Sequence, residues 1–286
     1  LEDHRANSVE LAKEFGAVIV QGPTGRMKPL DTQNREVLSK LTGKYTWNGM
    51  TANQVALGIF TRPKIWNKVN LIRVKTPKLR ALLGVPDNQK LVPFNSFFDP
   101  NGRFKFTQET KLANKLVPSK RGTFERDLIQ VDELLNIMLM SNRGMLFKIF
   151  PVPNDAKQTW IDFATLFMET NHTDLQIESQ KFLDHVFNRN YEQAEKHLVE
   201  IKAFQIVHGT KVIPTENHVK VELAYNKSGV FIKLSLAYLL FGMLFLGFSL
   251  VSIFNNTILN PTMKKGLNSI VFILFLIHSI AIMVRW

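Results

Sequence analysis

The segment Leu234–Phe254 constrains the fold more than any other part of this sequence. It contains about twenty successive residues without a charge, and at about 1.5 Å rise per residue a helix of this length crosses a hydrocarbon layer of about 30 Å. A buried helix of a soluble protein would normally carry a polar stripe, and this segment has none. A second apolar run, Leu267–Val284, follows a short polar loop. The sequence therefore predicts a large polar domain joined to a two-helix transmembrane hairpin.

The loop between the two apolar runs indicates which side of the membrane the polar domain occupies. It carries Lys264 and Lys265, and short loops rich in Lys and Arg stay cytoplasmic. Lys233 and Arg285 reduce this asymmetry, because each places one positive charge at an outer flank. The pattern still favours a multi-pass protein of the bacterial inner membrane, with residues 1–229 on the periplasmic side.

Charge and composition limit the classes of function. The 286 residues include 36 Lys and Arg against 24 Asp and Glu, which favours anionic partners such as lipid headgroups or acidic protein faces. The alternative is positive charge spread over the surface for solubility. The sequence has no run of five or more basic residues, so we expect no nucleic-acid partner. It has no cysteine, which excludes disulfides, Cys-ligated zinc and thiol catalysis by this chain.

The ends of the sequence predict that it is an internal fragment of a longer polypeptide. It begins at Leu1 without the basic and apolar regions of a signal peptide, and it stops at Trp286, where a membrane helix would emerge.

Apolar periodicity and capping residues predict a mainly α-helical polar domain, residues 1–229, with few and short strands. The membrane helices are expected at about 231–254 and 267–285, within a hairpin formed by residues 230–286. Helices of the polar domain are predicted at 7–16, from Asp31 or Thr32 to Leu41, at 51–60, 77–83 and 125–146, and from Asn154, Thr173, Tyr191 and Thr215 onwards. Extended segments are predicted at 17–21 and 147–153, and on both sides of a DPNG turn within 91–106.

No recognisable catalytic or metal-binding motif occurs in the sequence. There is no HExxH, GxSxG or Walker loop, and Gly22–Gly25 reads as a turn. The histidines of the polar domain are expected to be ordinary exposed helix residues, and they are His4, His172, His185, His197, His208 and His218. His172, His185 and His197 match no short metal-ligand spacing. We therefore predict no catalytic residue and no metal site.

His278 differs from the other histidines because it lies inside the second apolar run. An ionisable side chain in a membrane span is costly and is a functional candidate. It is the candidate haem-binding residue of this chain. A proton path and a buried helix–helix contact are the other interpretations, and packing is the simplest of them.

Several separated segments resemble one known family. Read in order, the chain looks like the periplasmic domain and the first two helices of the CcsA-like half of fused system II cytochrome c synthases, the CcsBA or ResBC type. The matching segments are GRMKPLDTQNREVLSKLTGK (25–44), NGMTANQVALGI (48–59), VPFNSFFDPNGRFKF (92–106), ERDLIQVDELLNIM (125–138), KIFPVPND (148–155) with TWID (159–162), and AYNKSGVFIKLSLAYLLFGM (224–243).

This resemblance implies a haem exporter and haem lyase. Such a protein moves b-type haem, its substrate, to the outer face and attaches it to the CxxCH thiols of apocytochrome c. The implied partners are apocytochrome c, haem, membrane lipid, and the remaining CcsB-like (ResB) and CcsA-like (ResC) segments of the same polypeptide.

Two departures limit what the resemblance implies for this chain. The family's tryptophan-rich haem-handling segment is missing, since the tryptophans are the scattered Trp47, Trp66, Trp160 and Trp286. No position matches the family's haem-ligating histidines, so haem would be bound mainly outside this chain, which would have a structural or docking role. The alternative from another class is a membrane-tethered extracytoplasmic binding or sensor module unrelated to haem.

Overall fold

A computed structural model describes residues 8–168, 173–254 and 261–285 of the chain. The prediction of a mainly helical fold with few short strands is confirmed. The chain divides into two compact units, Leu1–Pro214 and Thr215–Trp286. The predicted limit at residue 229 concerns the edge of the membrane and stays a prediction.

The helices of the first unit account for most of its described residues. Numbered in chain order, they are α1 (Val9–Gly16), α2 (Leu30–Thr42), α3 (Ala52–Thr61), α4 (Pro63–Trp66), α5 (Pro77–Leu82), α6 (Thr107–Lys115), α7 (Thr123–Asn142), α8 (Phe163–Met168), α9 (Thr173–Phe187) and α10 (Tyr191–His208). The short helical turns Phe94–Phe97 and Pro118–Lys120 are of the 3₁₀ type.

The strands of the described residues form two-stranded antiparallel sheets. The pairs are β1 (Ile19–Gln21) with β2 (Met27–Pro29), β3 (Thr46–Trp47) with β4 (Met50–Thr51), β5 (Asn70–Arg73) with β6 (Leu91–Pro93), and β7 (Phe150–Pro151) with β8 (Trp160–Ile161). Gly22–Gly25 forms the turn between β1 and β2, as predicted, with the Gly25 amide donating to Gly22 O at 2.9 Å.

Helix α3 lies at the centre of the first unit. Thr51 and Gln54 form a capping box at its start, and every residue from Ala52 to Ile59 is buried. Val55 and Ile59 face one hydrophobic core, built with α2, α7, β5 and β6. Ala56 and Leu57 belong to a second core, built with α1, β1, α8, α9 and α10. One helix therefore holds both halves of the unit together.

Buried polar side chains connect elements that are distant in the sequence. Gln205 of α10 donates to Ile19 O at 2.8 Å and to Ile149 O at 2.7 Å, and it accepts a hydrogen bond from Ile19 N at 3.3 Å. Asp127 of α7 accepts hydrogen bonds from the amides of Lys75 and Thr76, which fixes the entry into α5. Such contacts are needed because a buried polar group without a partner costs free energy.

Two helix starts differ from the sequence prediction. Helix α2 begins at Leu30 after Pro29, so Asp31 lies in its first turn and accepts a hydrogen bond from Asn53. No helix begins at Asn154, because residues 154–158 form the loop of the β7–β8 hairpin. The Asp155 carboxylate accepts hydrogen bonds from Lys157 N and Thr159 N there, and helix α8 begins only at Phe163.

The second unit contains the apolar helices. Its helices are α11 (Glu216–Ser228), α12 (Val230–Phe254) and α13 (Pro261–Arg285). Gly229 ends α11 in the left-handed conformation, with φ of 58°. Both α12 and α13 are long and apolar enough to cross a membrane, and only 6% of each apolar window is buried within the chain. They are therefore unlike the core helices of a soluble protein, and they are compatible with a membrane protein. Helix α13 begins earlier than the predicted residue 267.

The packing of α3 predicts that Gly58→Ala destabilises the protein. In a helix interior, Gly→Ala normally stabilises, by about 0.5–1 kcal/mol. A Cβ at Gly58 would overlap the buried Trp66 indole, so we expect Gly58→Ala to lower the free energy of unfolding by about 1–3 kcal/mol. Denaturation followed by near-UV circular dichroism measures this.

A double-mutant cycle provides the control. In a Trp66→Leu background, the smaller side chain leaves room for the added methyl group, so the penalty of Gly58→Ala should shrink. An unchanged penalty in that background would contradict the proposed overlap.

Candidate functional site

His278 lies at the contact between α12 and α13. Its ring centroid is 5.7 Å from that of Phe231, at an interplanar angle of 64°, and 6.0 Å from that of Tyr238. Both aromatic residues belong to α12. These contacts are those of a residue that packs between the two helices of the hairpin. Packing is the simplest of the interpretations drawn from the sequence. Haem binding by His278 stays a prediction.

The face of the hairpin near His278 is apolar. A groove of about 690 Å³ opens between α12 and α13, and Tyr238, Phe245, Asn268 and Phe275 are among its lining residues. Asn268 is the polar side chain in this lining. A flat apolar ligand or a further helix would fit such a surface, since aromatic side chains provide most of its area.

Two serines of α13 form hydrogen bonds within their own helix. Ser269 donates to Lys265 O and Ser279 donates to Phe275 O, both at 2.9 Å and both within α13. A Cβ at Gly242 or Gly247 would meet nothing within 4 Å, so neither glycine permits a close helix approach in the described structure.

Two histidines of the first unit form a pair that their sequence spacing did not indicate. The His185 ring on α9 stacks on the His197 ring on α10, with centroids 5.3 Å apart and an interplanar angle of 3°. His197 Nδ1 lies 2.6 Å from Glu178 Oε2, and Lys181 contacts the other carboxylate oxygen at 3.0 Å. The expectation that His197 is an ordinary exposed residue is wrong, because its side chain is only 16% exposed.

The surroundings of Glu178 favour its ionised form. The hydrogen bond with His197 is the main cause that lowers the pKa of Glu178, and the hydrogen bond from Lys181 adds to it. The arrangement is a charge-assisted network between neighbouring helices. Among the described residues, no group of three or more His, Asp or Glu side chains is placed to hold a metal ion.

The remaining predicted site residues are dispersed. His208 packs its ring at 4.4 Å from that of Phe204, and His218 lies in the first turn of α11. His4, His172 and Trp286 lie outside the described residues.

The described tryptophans are core residues. Trp47 and Trp66 lie 5.8 Å apart in the first core, and Trp160 is 1% exposed. Within the described ranges, these tryptophans do not form an exposed aromatic platform. Within the part of the chain that the structure describes, the side chains singled out above thus form a histidine pair and an apolar groove.

Glu178 makes the stability of the α9–α10 pair dependent on pH. Because its folded pKa is lowered, its contribution is present above about pH 4.3 and is lost as the pH falls through the folded pKa. We expect Glu178→Gln to lower the free energy of unfolding by less than about 1 kcal/mol at pH 7, since the pair is partly exposed. Thermal unfolding at pH 7 should separate the variant from the parent, and the difference should shrink progressively as the pH is lowered through the folded pKa.

Glu192→Gln is the matched control for this effect. Glu192 contacts Lys196 at 3.4 Å on the exposed face of α10 and has no contact with the histidine pair. It should change stability by only a few tenths of a kcal/mol over the same pH range. A Glu178→Gln effect that stayed constant as the pH was lowered would contradict the electrostatic explanation.

Comparison with known proteins gives one informative similarity. No protein-family model matches the chain. The chain is similar to Protein NrfI of Wolinella succinogenes, with 40% identity over 290 aligned residues, which cover 100% of this chain and 32% of NrfI. The chain therefore spans about a third of the length of the curated relative that it matches.

Proposed function

We propose that this chain is part of a membrane cytochrome c biogenesis protein of the fused system II type. In this proposal the complete polypeptide exports haem and attaches it to the CxxCH thiols of apocytochrome c. The observation that carries the proposal is the ordered series of family-like segments along nearly the whole chain. Similarity to NrfI over the full length of the chain supports the same assignment.

The positions of the family-like segments explain what this part of the protein contributes. Segment 25–44 forms β2 and α2, segment 48–59 forms most of α3, and segment 125–138 lies in α7. These are the elements that build the first core. The family-like segments therefore lie in the structural framework of the first unit. Their position supports a shaping or docking role for this chain, with a haem-handling centre elsewhere in the polypeptide.

The hairpin fits the same proposal. Helices α12 and α13 present large apolar side chains outward, as in Leu239, Met243 and Phe272, each about 60% exposed. Lipid or further helices of a CcsA-like half would cover these side chains, because exposed apolar patches of this size mark membrane or protein contacts. The first unit lies on the periplasmic side in this proposal, where apocytochrome c receives its haem.

Formation of holocytochrome c tests the function directly. The complete natural polypeptide should mature a reporter apocytochrome c in a bacterial host that lacks its own maturation genes, and the purified polypeptide should show a Soret absorbance from bound haem. The covalent haem content of the reporter, measured after denaturing electrophoresis, gives the yield. A polypeptide that neither matures the reporter nor retains haem would instead support the alternative of a sensor or binding module.

Cysteine labelling tests the orientation. This chain has no cysteine, so a single introduced cysteine is the one residue of this segment that a maleimide can label. We expect Lys111→Cys, on exposed α6, to react with a membrane-impermeant maleimide in spheroplasts. Lys265→Cys, in the first turns of α13, should react only after lysis, because its short loop would be cytoplasmic. The unsubstituted polypeptide is the control, and the reverse labelling pattern would contradict the periplasmic assignment.

A further inference from the structure

A cleft of about 700 Å³ in the first unit collects four positive side chains. Lys44 follows α2 and Lys68 precedes β5. Arg73 is the last residue of β5, and Lys90 directly precedes β6. None of the residues that line this basic cleft is acidic. The cations repel one another unless an anion or solvent compensates them, so the cleft attracts negative charge.

The four cations of the basic cleft have no acidic partner among the described residues. Their neighbours differ in this respect, since Lys40 contacts Glu133 at 3.0 Å and Arg80 is paired with Asp87. Arg73 is the most constrained of the four. Its Nε is buried and has no hydrogen-bond partner. Arg73 also lines the cleft, so an anion bound there would compensate its charge.

The Arg73 guanidinium lies against the end of α2. A Cβ at residue 43 would overlap Nη1 of Arg73, so the guanidinium packs directly beside Gly43. Gly43 ends α2 in the left-handed conformation, with φ of 81°. The end of α2 is therefore part of the surroundings of this arginine.

Neutral donors surround the cations. The asparagines Asn48, Asn70 and Asn88 line the cleft together with the edge of buried Trp47. Asn48 has a φ of 46° in the two-residue turn between β3 and β4, so the hairpin fixes its position. Amide groups donate hydrogen bonds to carboxylate or phosphate oxygens without adding charge.

We propose that the basic cleft binds a small polyanion, a molecule with two or more carboxylate or phosphate groups, with Arg73 as its anchor. Arginine offers planar, paired N–H donors that match both kinds of oxygen group. A small molecule fits better than a macromolecule, because the cleft volume is that of an ordinary ligand pocket. This proposal does not depend on the role in cytochrome c biogenesis.

Calorimetric titration of the full chain in neutral detergent tests the proposal. Pyrophosphate and citrate serve as the phosphate and carboxylate probes, and at least one should bind saturably with one-to-one stoichiometry and weaken as salt is raised. The probe that binds more tightly identifies the source of the anionic groups. Arg73→Gln should weaken that probe by about tenfold or more, because a bidentate charged contact is lost.

Two further variants show whether a loss of affinity comes from the cleft or from the change in net charge. Lys90→Gln changes an exposed residue that cannot disturb the core, and it should weaken binding by several-fold. Lys111→Gln removes the same charge from exposed α6, away from the cleft, and should leave the affinity within about twofold.

Three outcomes would overturn the proposal. The first is that neither probe binds saturably, and the second is that Lys111→Gln weakens binding as much as Arg73→Gln and Lys90→Gln. The third is that a hexa-aspartate peptide binds more tightly than both small anions and loses affinity in the cleft variants, which would assign the cleft to an acidic protein segment.

Discussion

The burial of α3 from Ala52 to Ile59 is the constraint on which the first unit depends. A helix with apolar contacts on every side must be surrounded by other elements, and the two cores meet along it. Its polar residues take part as well, since Asn53 donates to Asp31 at 2.9 Å and accepts from Asn34 at 3.0 Å. Even Gly16 at the end of α1 leaves space for the Asn53 amide. Small residues and one buried amide therefore set how closely α1 and α2 approach α3.

Charged side chains are distributed unevenly over the molecule. The two cores are built from apolar side chains, and α12 has a single lysine in its first turns. Part of the positive excess, by contrast, is gathered around Arg73, where the lining of the cleft has no acidic residue. Charge spread evenly for solubility does not describe this part of the chain. The cleft is nevertheless joined to the packed framework, because Trp47 and Val69 belong both to the first core and to the lining of the cleft.

Local signals in the sequence are sufficient for most helices and insufficient for the sites. Apolar periodicity locates α7 and α10, whose buried residues recur at helical spacing, and capping residues locate the starts of α3 and α11. The sequence does not locate the start of α8, because pairing of β7 with β8, a tertiary contact, overrides the helix-like pattern after Asn154.

The sites depend on contacts between distant residues. The histidine pair forms only because α9 and α10 pack side by side. The basic cleft combines residues from three separate segments, none of which is unusual alone. The asparagine–glycine turn between β3 and β4 is a local clue to it.

Gly43 links two local features of the first unit. The same residue ends α2 and lies against the Arg73 guanidinium. A larger side chain there would strain the left-handed backbone and push the guanidinium aside, because the arginine side chain shifts more easily than the backbone. A single substitution at this position would therefore alter the helix end and the place of the arginine together.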